Sequence, residues 1–369
     1  MKLSCAQSKL NKGLTLAGRL VGTRTTLPIL NNILLEASKG RLIITSTDLE
    51  IGITAIIGAK IIKEGKITIP SRLLCDFVAV SNDKKINLSL KNKTLTLKSK
   101  HSLAHIKGMS AEEFPLIPKV KGKEVLVLNS DDFLKAINQV IIAAATDDTR
   151  PVLCGVYFKI ENKKLKLVAT DSYRLAEKNI NIKNEPEQDN NFIVPLKTMQ
   201  ELVRIISTLE PGDISIKLNE SQISFNLLGV EIISRLVEGE FPEYEQIIPK
   251  EHKTRASLRS QDFNRTLKMV GLFAQDSGSG IELNFDNKGE VRVLATSNQV
   301  GDNKSKINSL VVGDNNKIAF NAKFITDVLS VLGDKDIDFE MTGKFSPGVL
   351  KSKEDKDFLY VIMPLKTEE

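Results

Sequence analysis

Ser130-Asp131-Asp132-Phe133-Leu134-Lys135-Ala136-Ile137-Asn138-Gln139-Val140 reads as a helix, and Ser260-Gln261-Asp262-Phe263-Asn264-Arg265-Thr266-Leu267-Lys268-Met269-Val270 reads as the same helix again. Phe133, Ile137, Val140 and Ala144 fall at i, i+4, i+7 and i+11, as do Phe263, Leu267, Val270 and Ala274. That spacing lays one apolar stripe along a helix. In each copy a serine is placed to cap the helix, and an aspartate sits in its positive first turn. Leu10, Leu14, Ala17 and Val21 repeat the stripe near the N-terminus, where the start at Ser8-Lys9-Leu10 is less well marked.

A second helix set repeats as well. Pro70-Ser71 precedes Leu74, Phe77 and Val78; Pro195-Leu196 precedes Met199, Leu202 and Val203; Asn321 precedes Ile325, Val328 and Leu329. The sequence between the helices alternates apolar with polar residues, as in Ile86, Leu88 and Leu90, Leu95 and Leu97, Ile214, Ile216 and Leu218, and Ile223 and Phe225. Such alternation predicts strands. A short phrase punctuates them: Ser46-Thr47-Asp48, Ala169-Thr170-Asp171 and Ala295-Thr296-Ser297. Three kinds of feature thus share a period near one third of the 369 residues. The period is too long for a solenoid repeat and suits a whole domain. We expect an α+β chain of three similar domains, residues 1–121, 129–250 and 254–369, each built as helix, strands, helix, strands. The seams, Lys119-Val120-Lys121-Gly122-Lys123 and Pro249-Lys250-Glu251-His252-Lys253, are too short to be flexible tethers.

Composition narrows the function. The chain is 41% hydrophobic and 27% charged, an ordinary globular balance. No apolar run approaches the ~18–20 residues that span a bilayer, and no secretory signal opens the chain, so no membrane partner and a cytoplasmic location are expected. Cys5, Cys75 and Cys154 are too scattered for a disulfide framework. His101, His105 and His252 have no CxxC pair beside them, so no metal is expected. The formal charge of +6 permits a polyanion partner without demanding one. The absence of Trp weakens any reading based on stacked single-stranded bases.

The search for chemistry finds no catalytic residue and no cofactor site. There is no P-loop, and Ser277-Gly278-Ser279-Gly280 lacks the lysine and helix of one. The pairs Asp131-Asp132 and Asp147-Asp148 read as a helix start and a loop, and the Asp of the Thr-Asp phrase reads as a turn residue. A metal-dependent DNA-acting enzyme would need carboxylates converging from several elements, and a monomer at micromolar concentration would favour a repeat adaptor that binds proteins without encircling DNA. More suggestive are basic residues off the apolar stripes: Lys12, Arg19, Arg24, Lys135, Lys197 and Arg204. They read either as solvated helix faces or as a surface for the phosphate backbone. No cluster looks like a base reader, so DNA binding should be sequence-neutral.

Several ordered motifs resemble those of the bacterial DNA polymerase III beta subunits, the beta sliding clamps. Thr26-Leu27-Pro28-Ile29-Leu30-Asn31-Asn32-Ile33-Leu34-Leu35 and Ser46-Thr47-Asp48-Leu49-Glu50 resemble the first domain's signature. Ala169-Thr170-Asp171-Ser172-Tyr173-Arg174-Leu175-Ala176, Glu240-Phe241-Pro242-Glu243-Tyr244 and Tyr360-Val361-Ile362-Met363-Pro364-Leu365 follow in family order. The resemblance covers the whole chain. It implies a non-catalytic processivity factor that encircles double-stranded DNA as a head-to-tail homodimeric ring, with helices lining the hole and sheets outside. The implied partners are the replicative polymerase's catalytic subunit, the clamp loader and other proteins carrying a clamp-binding peptide. The implied peptide groove uses Leu153, Thr170, Ser172, Tyr173, Arg174, Leu175, Pro242, Gln246, Ile247, Asn321, Phe324, Val361, Ile362, Met363, Pro364 and Leu365. Arg72 and Arg150 join the candidates for DNA, and Leu272 and Phe273 match an apolar pair at the family's subunit joint. Ser172-Tyr173 departs from a common Gly-His pair, Gln246 from a frequent arginine, and Pro151-Val152 from tyrosines that touch DNA in some members.

Overall fold

The structure, a computed structural model, describes residues 1–20, 27–121, 124–147, 149–161, 163–184, 186, 189–274 and 278–366, without the Arg19 side chain. Val21, Arg24, Thr26, Asp148 and Ser277 lie outside the described residues. The first third runs β1 (Lys2–Ala6), α1 (Gln7–Ala17), β2 (Asn32–Ser38), β3 (Arg41–Thr47), β4 (Ile51–Gly58), β5 (Lys60–Lys63), β6 (Gly65–Pro70), α2 (Ser71–Val80), β7 (Lys85–Lys91), β8 (Thr94–Lys98) and β9 (Leu103–Lys107). The middle third runs β10 (Glu124–Asn129), α3 (Ser130–Val140), β11 (Gly155–Glu161), β12 (Lys164–Thr170), β13 (Arg174–Asn181), β14 (Asn190–Pro195), α4 (Leu196–Ile206), β15 (Asp213–Leu218), β16 (Gln222–Leu227) and β17 (Val230–Arg235). The last third runs β18 (Thr254–Arg259), α5 (Ser260–Gly271), β19 (Gly280–Asp286), β20 (Glu290–Ser297), β21 (Gly301–Asn308), β22 (Leu310–Gly313), β23 (Asn316–Asn321), α6 (Ala322–Leu332), β24 (Asp336–Met341), β25 (Gly348–Ser352) and β26 (Phe358–Ile362). The helix–strands–helix–strands order therefore occurs three times, as the periodicity predicts.

By internal contact the residues gather into two compact units. The first comprises Met1–Asp131, Lys183–Glu187 and Glu201–Leu236. It holds a sheet of order β5-β1-β7-β8-β9 and a larger one of order β10-β15-β16-β17-β4-β3-β2-β6. Leu10, Leu14 and Ala17 of α1 are fully buried, together with Leu42 and Ile44 of β3 and Ile53 of β4. In the larger sheet β17 pairs antiparallel with β4, setting Ile232 opposite Ile53 and Ile233 opposite Gly52.

The second unit comprises Asp132–Ile182, Gln188–Gln200 and Val237–Glu369. Its sheets have the orders β14-β11-β12-β13-β26-β25-β24-β18-β22 and β21-β20-β19-β23. The stripe residues Phe263, Leu267 and Val270 of α5 and Ile325, Val328 and Leu329 of α6 are buried. Phe320, Phe285 and Phe263 surround Phe339, with ring centroids 5.4, 5.7 and 6.4 Å away. Here β13 pairs antiparallel with β26, setting Ala176 opposite Tyr360 and Leu175 opposite Val361.

The repeated serines do not cap their own helices. The Ser130 hydroxyl accepts from the Gly212 N–H at 3.0 Å, and that of Ser260 accepts from the Lys335 N–H at 3.0 Å. Their backbone N–H groups donate to Gly212 O and Lys335 O, and the Gln7 N–H donates to Lys84 O in the same way. Each first helix is thus pinned at its start to the segment that follows the second helix. The pin satisfies the N–H of the first helical residue, one of the donors that has no intrahelical partner. Asn321 does cap α6, accepting from the Lys323 N–H at 2.9 Å.

Candidate functional site

The Thr-Asp phrases close hairpins. Thr170 Oγ1 donates to Arg174 O at 2.7 Å and accepts from the Ser172 N–H at 3.1 Å, while Asp171 Oδ1 accepts from the N–H groups of Tyr173 and Arg174. Thr47 and Asp48 make the same four bonds around Leu49 to Ile51. In the third copy Ser297 Oγ accepts from Gln299 and Val300. The carboxylates are turn formers, as the repetition suggests. Leu49 and Ser172 both adopt left-handed φ, 78° and 76°. Ser172 holds without glycine a conformation in which glycine is free of Cβ strain.

Arg174 leaves this turn and organises the surface beside it. Its Nε donates to Asp171 Oδ2 at 2.9 Å and its Nη1 to Asp327 Oδ2 at 2.6 Å. The guanidinium lies 4.3 Å from the Phe324 ring centroid, a cation–π distance. Burial disfavours the Arg174 charge, but Tyr360, Asp327 and Asp171 outweigh it and hold the group more firmly protonated than usual. The chain end passes alongside: the Met363 N–H donates to Tyr173 O and the Leu365 N–H to Ala319 O, each at 2.8 Å. Tyr173, Ser172, Pro242, Gln246, Ile247 and Met363 are exposed, and Phe324, Asn321, Pro364 and Leu365 are half-buried.

The rest of the expected groove does not reach the surface. Leu153, Thr170, Leu175, Val361 and Ile362 are buried. Leu175 and Val361 form a closed cluster with Val168 and Tyr244, which Tyr157, Phe241 and Ile248 flank. Phe241 stacks on Tyr157 at 4.7 Å, and the Tyr244 hydroxyl donates to Glu177 Oε2 at 2.9 Å. The segment after Phe241-Pro242 thus covers the pair Leu175–Val361, so these two residues lie beneath it and not at the surface. The corresponding pair on the other joint is Gly52–Ile233. A Cβ on Gly52 would lie 2.8 Å from Ile117 Cδ1, so Ile117 occupies that place. Sequence reading missed this covering role, although Phe114-Pro115 and Ile117-Pro118-Lys119 echo Phe241-Pro242 and Ile248-Pro249-Lys250.

The basic candidates separate. Lys12, Arg72, Lys197 and Arg150 are exposed, with Arg72 3.9 Å from Asp76 and Arg150 donating to Ser172 Oγ at 3.3 Å. Arg24 and the Arg19 side chain lie outside the described residues. Arg204 is not a surface cation: its Nη1 and Nη2 donate to Thr15 O and Leu16 O at 3.0 and 2.9 Å, and its Nε to Glu201 at 2.8 Å. It satisfies carbonyls at the end of α1 that have no intrahelical partner. Arg204→Ala should therefore cost about 1–3 kcal/mol in denaturant unfolding and leave the salt dependence of DNA retention unchanged.

Lys135 is engaged too, its Nζ 2.8 Å from Asp355. Asp355 is buried and also accepts from Lys178 Nζ and, at 3.2 Å, from Gln139 Nε2. Burial raises its carboxyl pKa, but Lys135, Lys178 and Gln139 outweigh burial and hold it well below the usual range. Leu272 is 63% exposed just past α5, so it is not core, and Phe273 is half-buried. His101 Nδ1 meets Asp83 at 2.8 Å and His105 Nδ1 meets Thr96 Oγ1 at 3.0 Å, so the two share no site. Among the described residues no group of three or more His, Cys, Asp or Glu side chains could hold a metal ion, and no helix is long and apolar enough to cross a membrane.

Comparison with known proteins agrees along the whole chain. Residues 1–118, 127–243 and 245–366 match the N-terminal, central and C-terminal domain families of the DNA polymerase III beta subunit. The beta sliding clamp of Staphylococcus epidermidis is 31% identical over 95% of both chains, and that of Synechococcus elongatus 30% over 99% of both. Among solved structures, the DNA polymerase III beta subunit of Thermotoga maritima covers both chains fully with a TM-score of 0.93 at 27% identity. The sliding clamp of Bacillus subtilis does so with a TM-score of 0.94 at 25% identity. The chain, three clamp-type domains of antiparallel sheet and paired helices, belongs to the DNA polymerase III beta-subunit family, the beta sliding clamps, non-catalytic processivity factors of DNA replication.

Proposed function

We propose that two copies of this chain close head to tail into a ring around double-stranded DNA, and that each copy docks client peptides on the surface around Arg174. Strand pairing carries the ring reading. In each third, one strand follows the turn of the repeated phrase (Thr47-Asp48, Thr170-Asp171, Thr296-Ser297), namely β4, β13 and β21, and one ends the domain (β9, β17, β26). Within the chain β17 pairs with β4 and β26 pairs with β13. That leaves β9 and β21 as sheet edges with the same two roles. Edges with unpaired backbone groups invite a partner strand, and β9 of one copy on β21 of another repeats the rule twice more and closes the ring. Leu272 and Phe273 belong to this joint. The domains are residues 1–121, 129–250 and 254–369.

Topology then provides retention. Lys12, Arg72, Arg150 and Lys197, with Arg19 and Arg24, supply screened phosphate contacts that permit sliding. Lys135 contributes less, being tied to Asp355. Loading onto nicked circular DNA with a clamp loader and ATP tests this. After free protein is removed, linearising the DNA should release the protein, whereas equal retention on circle and line would sink the ring.

The docking reading rests on apolar groups left exposed, Ile247, Met363, Tyr173 and Pro242, together with the fixed polar Arg174 and with Phe324, Asn321, Pro364, Leu365, Ser172 and Gln246. Such a surface suits a short peptide with apolar anchors, as carried by the polymerase catalytic subunit, the clamp loader and other clients in the bacterial cytoplasm. The double variant Ile247→Ser/Met363→Ser should weaken a labelled clamp-motif peptide at least tenfold by fluorescence anisotropy with dimer mass unchanged. Undiminished affinity would move the site elsewhere.

A further inference from the structure

We infer that each joint between copies carries a histidine–carboxylate pair, His105 of one copy opposite Asp302 of the other, so that the ring closes more tightly as pH falls through the imidazole range. The inference rests on the ring reading above and adds the register. Ser46 pairs with Ile53, Ala169 with Ala176 and Ala295 with Asn303. Because Ser46, Ala169 and Ala295 open the same phrase, Ile53, Ala176 and Asn303 are equivalent. On the other edge, Leu88, Leu97 and Ala104 lie in successive register in β7, β8 and β9, as Ile216, Phe225 and Ile232 do in β15, β16 and β17. Ala104 is therefore equivalent to Ile232. Since Ile232 faces Ile53, Ala104 faces Asn303 across the joint, and one residue along His105 faces Asp302.

The same register explains the residue types. At the two joints within the chain this outer-face pair is Gly52–Ile233 and Leu175–Val361, covered by Ile117 and by Tyr244. Those covers come from the stretches that lead from the last strand of one domain to the first strand of the next, β9 to β10 and β17 to β18. No connecting segment crosses a joint between two chains, so the pair there stays in water, and it is polar. His105 and Asp302 are both exposed. Thr96 Oγ1 occupies His105 Nδ1, which leaves Nε2 as the atom for the carboxylate.

The charges around the pair fix the sign. Lys107 on β9 and Lys98 on β8 repel an imidazolium, but they belong to the same copy and act equally in the monomer. His101 is paired with Asp83 of its own copy. Across the joint, Asp302 stands directly opposite and Lys304 diagonally, with Lys306 beyond it near Glu290 and Arg292 bound to Glu290 and Asp286. Opposite residues approach more closely than diagonal ones, so Asp302 dominates. Dimerisation therefore favours the protonated ring, and the added affinity is present at low pH and lost as pH rises.

The test measures the dimer dissociation constant of the full chain at pH 6.0 and 8.0 by sedimentation, with His105→Gln and Asp302→Asn alongside. Two pairs per ring should make the dimer about three- to tenfold tighter at the lower pH, and both variants should lose the difference. A flat or inverted profile, or a profile retained in the variants, overturns the inference. Oxidative cross-linking of an Ala104→Cys/Asn303→Cys variant separates the two readings. A cross-linked dimer with a flat pH profile removes only the histidine switch, whereas failure to cross-link removes the register and the pair with it.

Discussion

Asp355→Ala lowers the stability of the second compact unit by about 3–5 kcal/mol, the usual cost of removing one partner from a buried ion pair. Lys178 comes from β13 and Gln139 from α3, whereas Asp355 sits three residues before β26. All three are buried. Without the carboxylate, the buried Lys178 ammonium, opposite Phe358, loses the counter-charge that Asp355 supplies. The double variant Lys178→Met/Asp355→Leu should recover much of the loss, because a well-packed apolar pair can match a buried ionic one. Amide exchange of β26 is the appropriate readout, since a chain of this size need not unfold in two states. The carboxyl is held below its ordinary range, so its stabilisation is fully present above about pH 4 and is lost only as pH falls through the depressed value. An alanine variant with unchanged protection in β26 would show that the pair is energetically idle.

Leu272→Ala/Phe273→Ala weakens the dimer at least a hundredfold. Leu272 is 63% exposed in the single chain, so truncating it costs the monomer little. In a closed ring each joint would bury the pair, and losing a Leu and a Phe from a packed interface costs several kcal/mol. About 2.7 kcal/mol already corresponds to the hundredfold change. Sedimentation at micromolar concentration should show monomer for the variant and dimer for the parent, with the same thermal transition of the monomer. An unchanged dimer would place Phe273 in its own domain's core and Leu272 outside the joint.

Much of this architecture is legible in the sequence because it is periodic. The stripes of Phe133, Ile137 and Val140 and of Phe263, Leu267 and Val270 give helices in place, and the alternation in Ile214–Leu218 gives a strand. What stays hidden is pairing at a distance. Lys178 and Asp355 are far apart in the chain, and each alone looks like a surface charge. Arg204 reads as one more solvated cation because nothing local announces the Thr15 and Leu16 carbonyls. The serines Ser130 and Ser260 look like caps because the same hydroxyl geometry serves a cap and a cross-link. For the candidate groove, motif matching names exposed and buried residues alike. It does not separate the open ones, such as Ile247, from Leu175, which Tyr244 covers.

The joints within the chain are antiparallel ladders, five residue pairs between β4 and β17 and five between β13 and β26. Such ladders are fastened by backbone amides and carbonyls, which every residue but proline supplies. The fastening therefore places few demands on side-chain identity beyond size and facing. A lineage can replace most of its residues at these seams and still inherit the same linkage, which accords with a TM-score of 0.93 surviving at 27% identity. Divergence is then free to act where it changes company: on the exposed Tyr173 and Ile247 of the proposed docking surface, where a new side chain would alter which peptide is welcome while the frame beneath stays as it was.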